Sequence, residues 1–239
     1  MATQLTSDLL ITAADLLSDS STQAHNLGER AVSNDGRAFR YVKMGAVAAV
    51  PGKLYQAPAE ITNHQNLTPT AAAIGDTSLT VTLGATAATA NYYSSGWAVV
   101  TVTPGVGYQY KIKSHPAASS SGSLTLQLED KITVALTTSS RIDLVPNPYS
   151  GVVVNPTTAT SSPVGVAVTA ITASQYGWLQ TRGPATLLAD GAVTVGTSLA
   201  ASNAVAGAVE AFTGVQAPVG IALTGIADTE YGAVLLGIN

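Results

Sequence analysis

Apolar and polar residues alternate through the middle of the chain. Leu79, Val81 and Leu83 are separated by Thr80 and Thr82. Tyr108, Tyr110 and Ile112 alternate with Gln109, Lys111 and Lys113. Leu124, Leu126 and Leu128 alternate with Thr125 and Gln127, and Asp143 separates Ile142 from Leu144. A period of two sends one set of side chains to a core and the other to water, as in half-buried antiparallel strands. Turn-forming clusters fall between these runs at Gly84, Ser94-Ser95-Gly96, Pro104 to Gly107 and Ser119 to Ser123. Pro69 at one end and Pro146 and Pro148 at the other mark connectors. The pattern predicts an inserted, projecting antiparallel β domain over residues 66–148.

The flanking segments have a different texture. Residues 1–23 read as an N-terminal arm with Leu9, Leu10, Ile11, Leu16 and Leu17 as its apolar side chains and Ser7 or Asp8 as a helix cap. So little apolar surface does not fold alone, so the arm is expected to dock on a neighbour or stay mobile. Residues 24–65 together with 149–239 read as a β-rich base. Asn34-Asp35-Gly36 signals a hairpin turn, followed by a strand carrying Phe39 and Tyr41, and Pro51-Gly52 marks a second turn. Gly151 to Val154 form a short apolar run. The Ala- and Gly-rich stretch 199–217 reads as a loop crossing between strands.

A hairpin is repeated in this base. Residues 163–177 and 218–232 match at eight of fifteen positions, ending in Tyr176-Gly177 and Tyr231-Gly232. Gly165 and Ala167, like Gly220 and Ala222, line one strand face with small residues, which predicts close backbone packing there, within the base or against a neighbouring subunit. The fold class is all-β: a sandwich- or barrel-like base with a repeated C-terminal hairpin and an inserted antiparallel β domain.

Composition narrows the function. Only 10% of residues are charged, against about 25% in ordinary soluble domains. A weakly charged surface loses little solvation when it is covered by protein; a Thr-rich β surface with no partner has the same composition. The net charge of −4 argues against general affinity for nucleic acid. There is no cysteine and hence no thiol chemistry. No apolar run reaches the ~20 residues that cross a bilayer, so no membrane partner is expected. The N-terminus lacks the basic region and apolar core of a signal peptide, and synthesis and use without Sec-type export are expected.

Candidate chemistry is sparse. His25, His64 and His115 have no metal-chelating spacing and read as exposed or hydrogen-bonded loop residues. Glu129-Asp130 is the one adjacent carboxylate pair. It would serve acid/base chemistry or, with Asp143, Ca²⁺ binding, or else is solvated charge at a strand end. Trp97 and Trp178, each followed by apolar residues, read as core or interface anchors. No catalytic residue, metal site or cofactor is expected. Half of the ten cations, Arg30, Arg37, Arg40, Lys43 and Lys53, fall within residues 26–61. They read either as an electrostatic contact for an acidic partner or as a solvated face paired with Glu29 and Asp35.

Three stretches carry a resemblance: LGERAVSNDGRAFRYVKMG (27–45), YKIKSHPAA through LTLQLEDKITVAL to VPNPYSGVVV (110–154), and YGWLQTRGPATLLADGAVTVG (176–196). Together they resemble tailed-bacteriophage virion structural proteins of the head decoration, or capsid cement, type. The resemblance implies a non-enzymatic protein on the outer surface of the capsid shell. It would stabilise the shell by bridging neighbouring major capsid protein subunits, and associate with itself as a homotrimer or homodimer. Leu9, Leu10, Arg30, Arg37, Arg40 and Lys43 are the candidate capsid contacts. The alternative is a fibre or adhesin module binding a host-surface receptor or glycan, with the 66–148 block as the binding part.

Overall fold

The computed structural model describes residues 9–214 and 216–238. Two compact units divide the chain, a base of residues 1–58 and 148–239 and an inserted unit of 59–147. The inserted unit begins upstream of the expected 66 because His64 is fully buried within it.

In chain order the base contributes β1 (Leu9–Leu10), helix α1 (Ala13–Leu16), β2 (Arg30–Val32), β3 (Ala38–Met44) and β4 (Leu54–Gln56). The inserted unit supplies β5 (Thr68–Pro69), β6 (Ser78–Thr82), β7 (Trp97–Val102), β8 (Gln109–Ser114), β9 (Ser123–Leu128) and β10 (Arg141–Val145). The base resumes with β11 (Ser150–Val154), β12 (Pro163–Ala167), β13 (Tyr176–Leu188) and β14 (Ser198–Ala201). It ends with β15 (Val209–Ala211), β16 (Pro218–Ala222) and β17 (Tyr231–Gly237).

The protein is all-β. In the base, β3, β11, β4, β12 and β13 pair in that order, and a further β13–β3 pairing closes them into a five-stranded barrel. The long strand β13 leaves the barrel and pairs with β17, carrying the sheet on through β16 and β14 to β15. The two repeated hairpins, β12–β13 and β16–β17, are therefore neighbours in one sheet. Both faces of β3 are covered. Val42 and Met44 join a cluster with Val152, Val164 and Leu179, while Phe39 and Tyr41 pack with Ile11, Leu16 and Trp178. In the inserted unit six antiparallel strands run β10-β7-β8-β9-β6-β5. Reciprocal Leu67–Ile142 backbone hydrogen bonds, both 2.9 Å, bring its ends together around Leu79, Leu124, Leu126 and Ile112.

One local device recurs in both units. Residues just ahead of strands meet in single antiparallel bridges: Ala49 with Ile171, Ala72 with Leu136, Ala88 with Ala118, and Val193 with Ile226. The last three exchange both N–H···O bonds at 2.9–3.0 Å. After each of these eight residues the next carbonyl accepts from the amide three further on, closing a β-turn: Val50 from Lys53, Ala73 from Asp76, Thr172 from Gln175, Ala227 from Glu230, and so on. The third residue of seven of these turns has positive φ: Gly52, Gly75, Asn91, Ser121, Ser174, Gly196 and Thr229. That is the type II signature. We call the paired bridge and its two turns a clasp. The bridge side chains point into the cores, with Ile171 in the barrel cluster and Val193 and Ile226 in that of the C-terminal sheet. The clasp thus turns the chain and plugs a core at once.

Three expectations are corrected. Residues 9–20 of the arm dock on their own base. β1 pairs with β2, Ile11 and Leu16 are buried, Ser20 bridges to Tyr176, and the Asp19 carboxylate accepts from the Thr172 amide at 2.7 Å. Ser7 and Asp8, the expected caps, lie outside the described residues; the helix is capped by Thr12. The 199–217 stretch contains β14 and β15. Its Leu199, Ala200, Ala201 and Val209 are all buried, so no period-two pattern betrays them.

Candidate functional site

The outer face of the C-terminal sheet inverts the usual order of large and small residues. A bulge at Val219 sets it up: Leu199 pairs with Gly220 but Ala200 pairs with Pro218, so the strand gains a residue there. Val219 and Ala222 then both face inward and are buried, whereas Ile221 is 45% exposed. Gly220 is held close, since a Cβ there would lie 2.2 Å from the Leu235 carbonyl oxygen. The same holds in the first hairpin, where a Cβ on Gly165 would lie 2.8 Å from the Leu179 Cβ. Close packing of the small residues is thus internal to the base.

The large apolar residues are left outside. Ser198, Ile221, Leu235 and Pro184 sit opposite one another across four strands, forming one row on one face. Thr186 pairs with Ala233 and Leu188 with Tyr231 in the next rows. Ile221, Leu223, Tyr231 and Leu235 are 45, 43, 50 and 42% exposed. These rows contain no charged side chain.

Beside these rows β13 bends out of the barrel and leaves a cleft of about 630 Å³. Pro184, Thr186, Tyr231 and Ala233 line it from the sheet, and Gly52, Gln180 and Arg37 from the barrel side. Gln180 fixes the bend. It is fully buried and its Nε2 donates to the Arg182 and Pro184 carbonyls, both at 2.9 Å. These two acceptors settle which end of the amide is nitrogen and leave Oε1 without a partner. The Tyr231 ring lies on Gly52, where a Cβ would come within 2.6 Å of Cε1. Arg37 and Tyr231 are the titratable side chains among the described lining residues. The arrangement can desolvate and hold a surface; it offers no nucleophile–base pair.

The structure does not gather the six sequence-derived contact residues into one patch. Leu9 packs against the Phe39–Trp178 cluster, while Leu10 is 66% exposed. Lys43 and Arg40 take opposite faces of β3, as strand alternation requires, and Arg37 lies just ahead of that strand. Arg37 Nε is 2.8 Å from Asp35 Oδ2, and its guanidinium lies 5.5 Å from the Phe39 ring centre. Lys43 stands 5.4 Å from the ring centre of Tyr176. Arg40 donates to the Gly28 carbonyl at 2.9 Å and lies over Tyr149. Arg30 sits opposite Arg40 in the β2–β3 ladder. Only Arg37 also reaches the cleft. The Ile221–Leu235 row escaped the sequence reading because alternation alone does not say which face is inside.

Of the remaining candidates, Glu129 pairs with Lys111 at 3.2 Å and Asp130 is exposed. Asp143 accepts from the Asn66 amide at 2.7 Å. No cluster of three or more metal-ligating side chains occurs among the described residues. His64 and His115 are hydrogen-bonded but buried, not exposed. Trp178 is in the core and Trp97 is half-buried. No described helix is long and apolar enough to cross a membrane. No family model, curated protein or solved structure matches the chain.

Proposed function

We propose that the protein is a non-enzymatic structural component of a phage virion. It binds the outside of the capsid shell and stabilises it by bridging neighbouring major capsid protein subunits. One observation carries this reading: the uncharged apolar rows around Ile221 and Leu235 lie on a sheet whose inner face is closely packed. Covering such a face removes apolar area from water without stripping charges. The sheet is held by the β13–β17–β16 ladders, so little ordering entropy opposes docking. Repetition over a symmetric shell turns modest affinity into avidity. The likeness of residues 27–45, 110–154 and 176–196 to head decoration proteins supplies the partner. Self-association as a homotrimer or homodimer at symmetry axes fits the same reading.

The test is co-sedimentation of purified protein with capsids that lack it. The reading expects saturable binding that Ile221→Lys with Leu235→Lys abolishes while the variant stays folded. Binding by neither form, or equally by both, contradicts it.

A further inference from the structure

We propose that His115 is the trigger of an acid-operated latch that opens the inserted unit while the base stays folded. The latch is a set of hydrogen bonds that links two buried histidines through Tyr93. His64 Nε2 faces the Thr86 carbonyl at 2.8 Å and therefore carries the proton; its Nδ1, 2.5 Å from Tyr93 Oη, accepts the phenol O–H. The Tyr93 backbone N–H donates to His115 Nε2 at 3.0 Å, and His115 Nδ1–H donates to the Pro116 carbonyl at 2.8 Å. The His115 backbone closes the device. Its amide donates to Asn91 Oδ1 at 3.0 Å, and its carbonyl accepts from the Asn91 amide at 3.1 Å. Segments 62–64, 86, 91–93 and 115–116 are tied together beside the Ala88–Ala118 clasp.

The two histidines respond differently to a proton. At His64 the new N–H would meet a hydroxyl, which can rotate and accept. At His115 it would meet a backbone N–H, a donor that cannot turn round. His115 is 3% exposed, so the new charge is also stripped of water. The titratable groups around it are Tyr93, its ring centre 5.8 Å away, His64 on the far side of Tyr93, and Tyr92 edge-on to Tyr93 at 4.9 Å. None of these supplies a negative charge at neutral or acid pH, and no carboxylate among the described residues bonds to the groups just named. Burial holds His115 below the usual histidine value, outweighing the opposing hydrogen bond to the Pro116 carbonyl, and the nearby His64 adds to the lowering. The unfolded unit thus binds more protons than the folded one. Its stability is full above about pH 6.5 and falls as the pH drops toward the depressed value. The base has no such group: His25, its histidine, is half-exposed beside Glu29.

The two tryptophans, one in each unit, allow the test. Trp178→Phe leaves Trp97 as reporter of the inserted unit, and Trp97→Phe leaves Trp178 for the base. On acidification the Trp97 emission should change with a midpoint below pH 6.5, before that of Trp178. H115Q, which places a non-titrating acceptor near ring Nε2, should lower the Trp97 midpoint by at least about one pH unit. Coincident transitions, or an unmoved midpoint in H115Q, overturn the proposal. If H115Q does not fold at pH 7.5, the His115 Cε1–H resonance of the native protein decides. It should titrate at the Trp97 midpoint, and titration apart from it refutes the latch.

Discussion

Ile226 lies directly on the bare backbone of Gly232: a Cβ at 232 would sit 2.3 Å from Ile226 Cγ1. Six residues apart in the first hairpin, Ile171 and Gly177 repeat the relationship, with a would-be Cβ 2.8 Å from Ile171 Cδ1. The shared glycine of the two repeats is thereby explained. The glycine makes room for the side chain that the clasp drives into the core. Gly177→Ala and Gly232→Ala should each destabilise the protein by about 1–3 kcal/mol, as overpacking at a β-branched neighbour does. Chemical denaturation of the two variants measures this, with Gly237→Ala showing the cost at a strand glycine of ordinary φ whose Cβ would meet nothing within 4 Å.

The clasps predict a pattern of amide exchange. The amides of Ala72, Leu136, Ala88, Ala118, Val193 and Ile226 lie outside the strands yet each closes a reciprocal pair. They should exchange as slowly as neighbouring strand amides, and the two members of a pair should open together. Hydrogen exchange followed by NMR reads this, and fast or uncorrelated exchange within pairs counts against the clasp as a structural unit.

The Asp35 turn should respond to acid independently of the histidines. Hydrogen bonds from the Ser33 hydroxyl and then the Arg37 amide hold the Asp35 carboxyl down at about 2. The folded value lies below the unfolded one, near 3.9, so the contribution is present above that value and lost as the pH falls toward 2. Asp35→Ala should lower Tm at pH 7, and the difference from the native protein should shrink on acidification and vanish near pH 2.

Small residues inside the second hairpin make Ala222 sensitive. It is 1% exposed and pairs with Val234. Ala222→Phe should impair folding, whereas the outward Ile221→Lys should leave Tm within a few degrees, as exposed sites allow. Thermal melts of the two compare them; equal effects would contradict the assigned inner and outer faces.

Local chemistry made several elements legible. Asp35-Gly36 announces the β2–β3 hairpin, and Gly36 does take a positive φ of 82°. Alternation from Leu79 to Leu128 announces the strands of the inserted unit, where one face is wet. The clasp, which occurs four times, was visible only as two similar hairpins. Its bridge positions hold Ala, Val, Ile or Leu, its left-handed position accepts Gly, Asn, Ser or Thr, and its partners lie as far apart as Ala49 and Ile171. No spacing rule joins such residues. Closure of the barrel through β3–β13 is likewise a long-range event. The candidate contact surface stayed hidden because Ile221 and Val219 alternate alike in sequence, and only the bulge at Val219 turns one outward.

Electron microscopy of intact virions tests most directly the proposed place of the protein on the outside of a capsid shell. Many copies on the outer capsid surface, with the Ile221–Leu235 face buried against the shell or a neighbouring copy, are the predicted result. A few copies confined to the tail tip, with that face open to solvent, would contradict it.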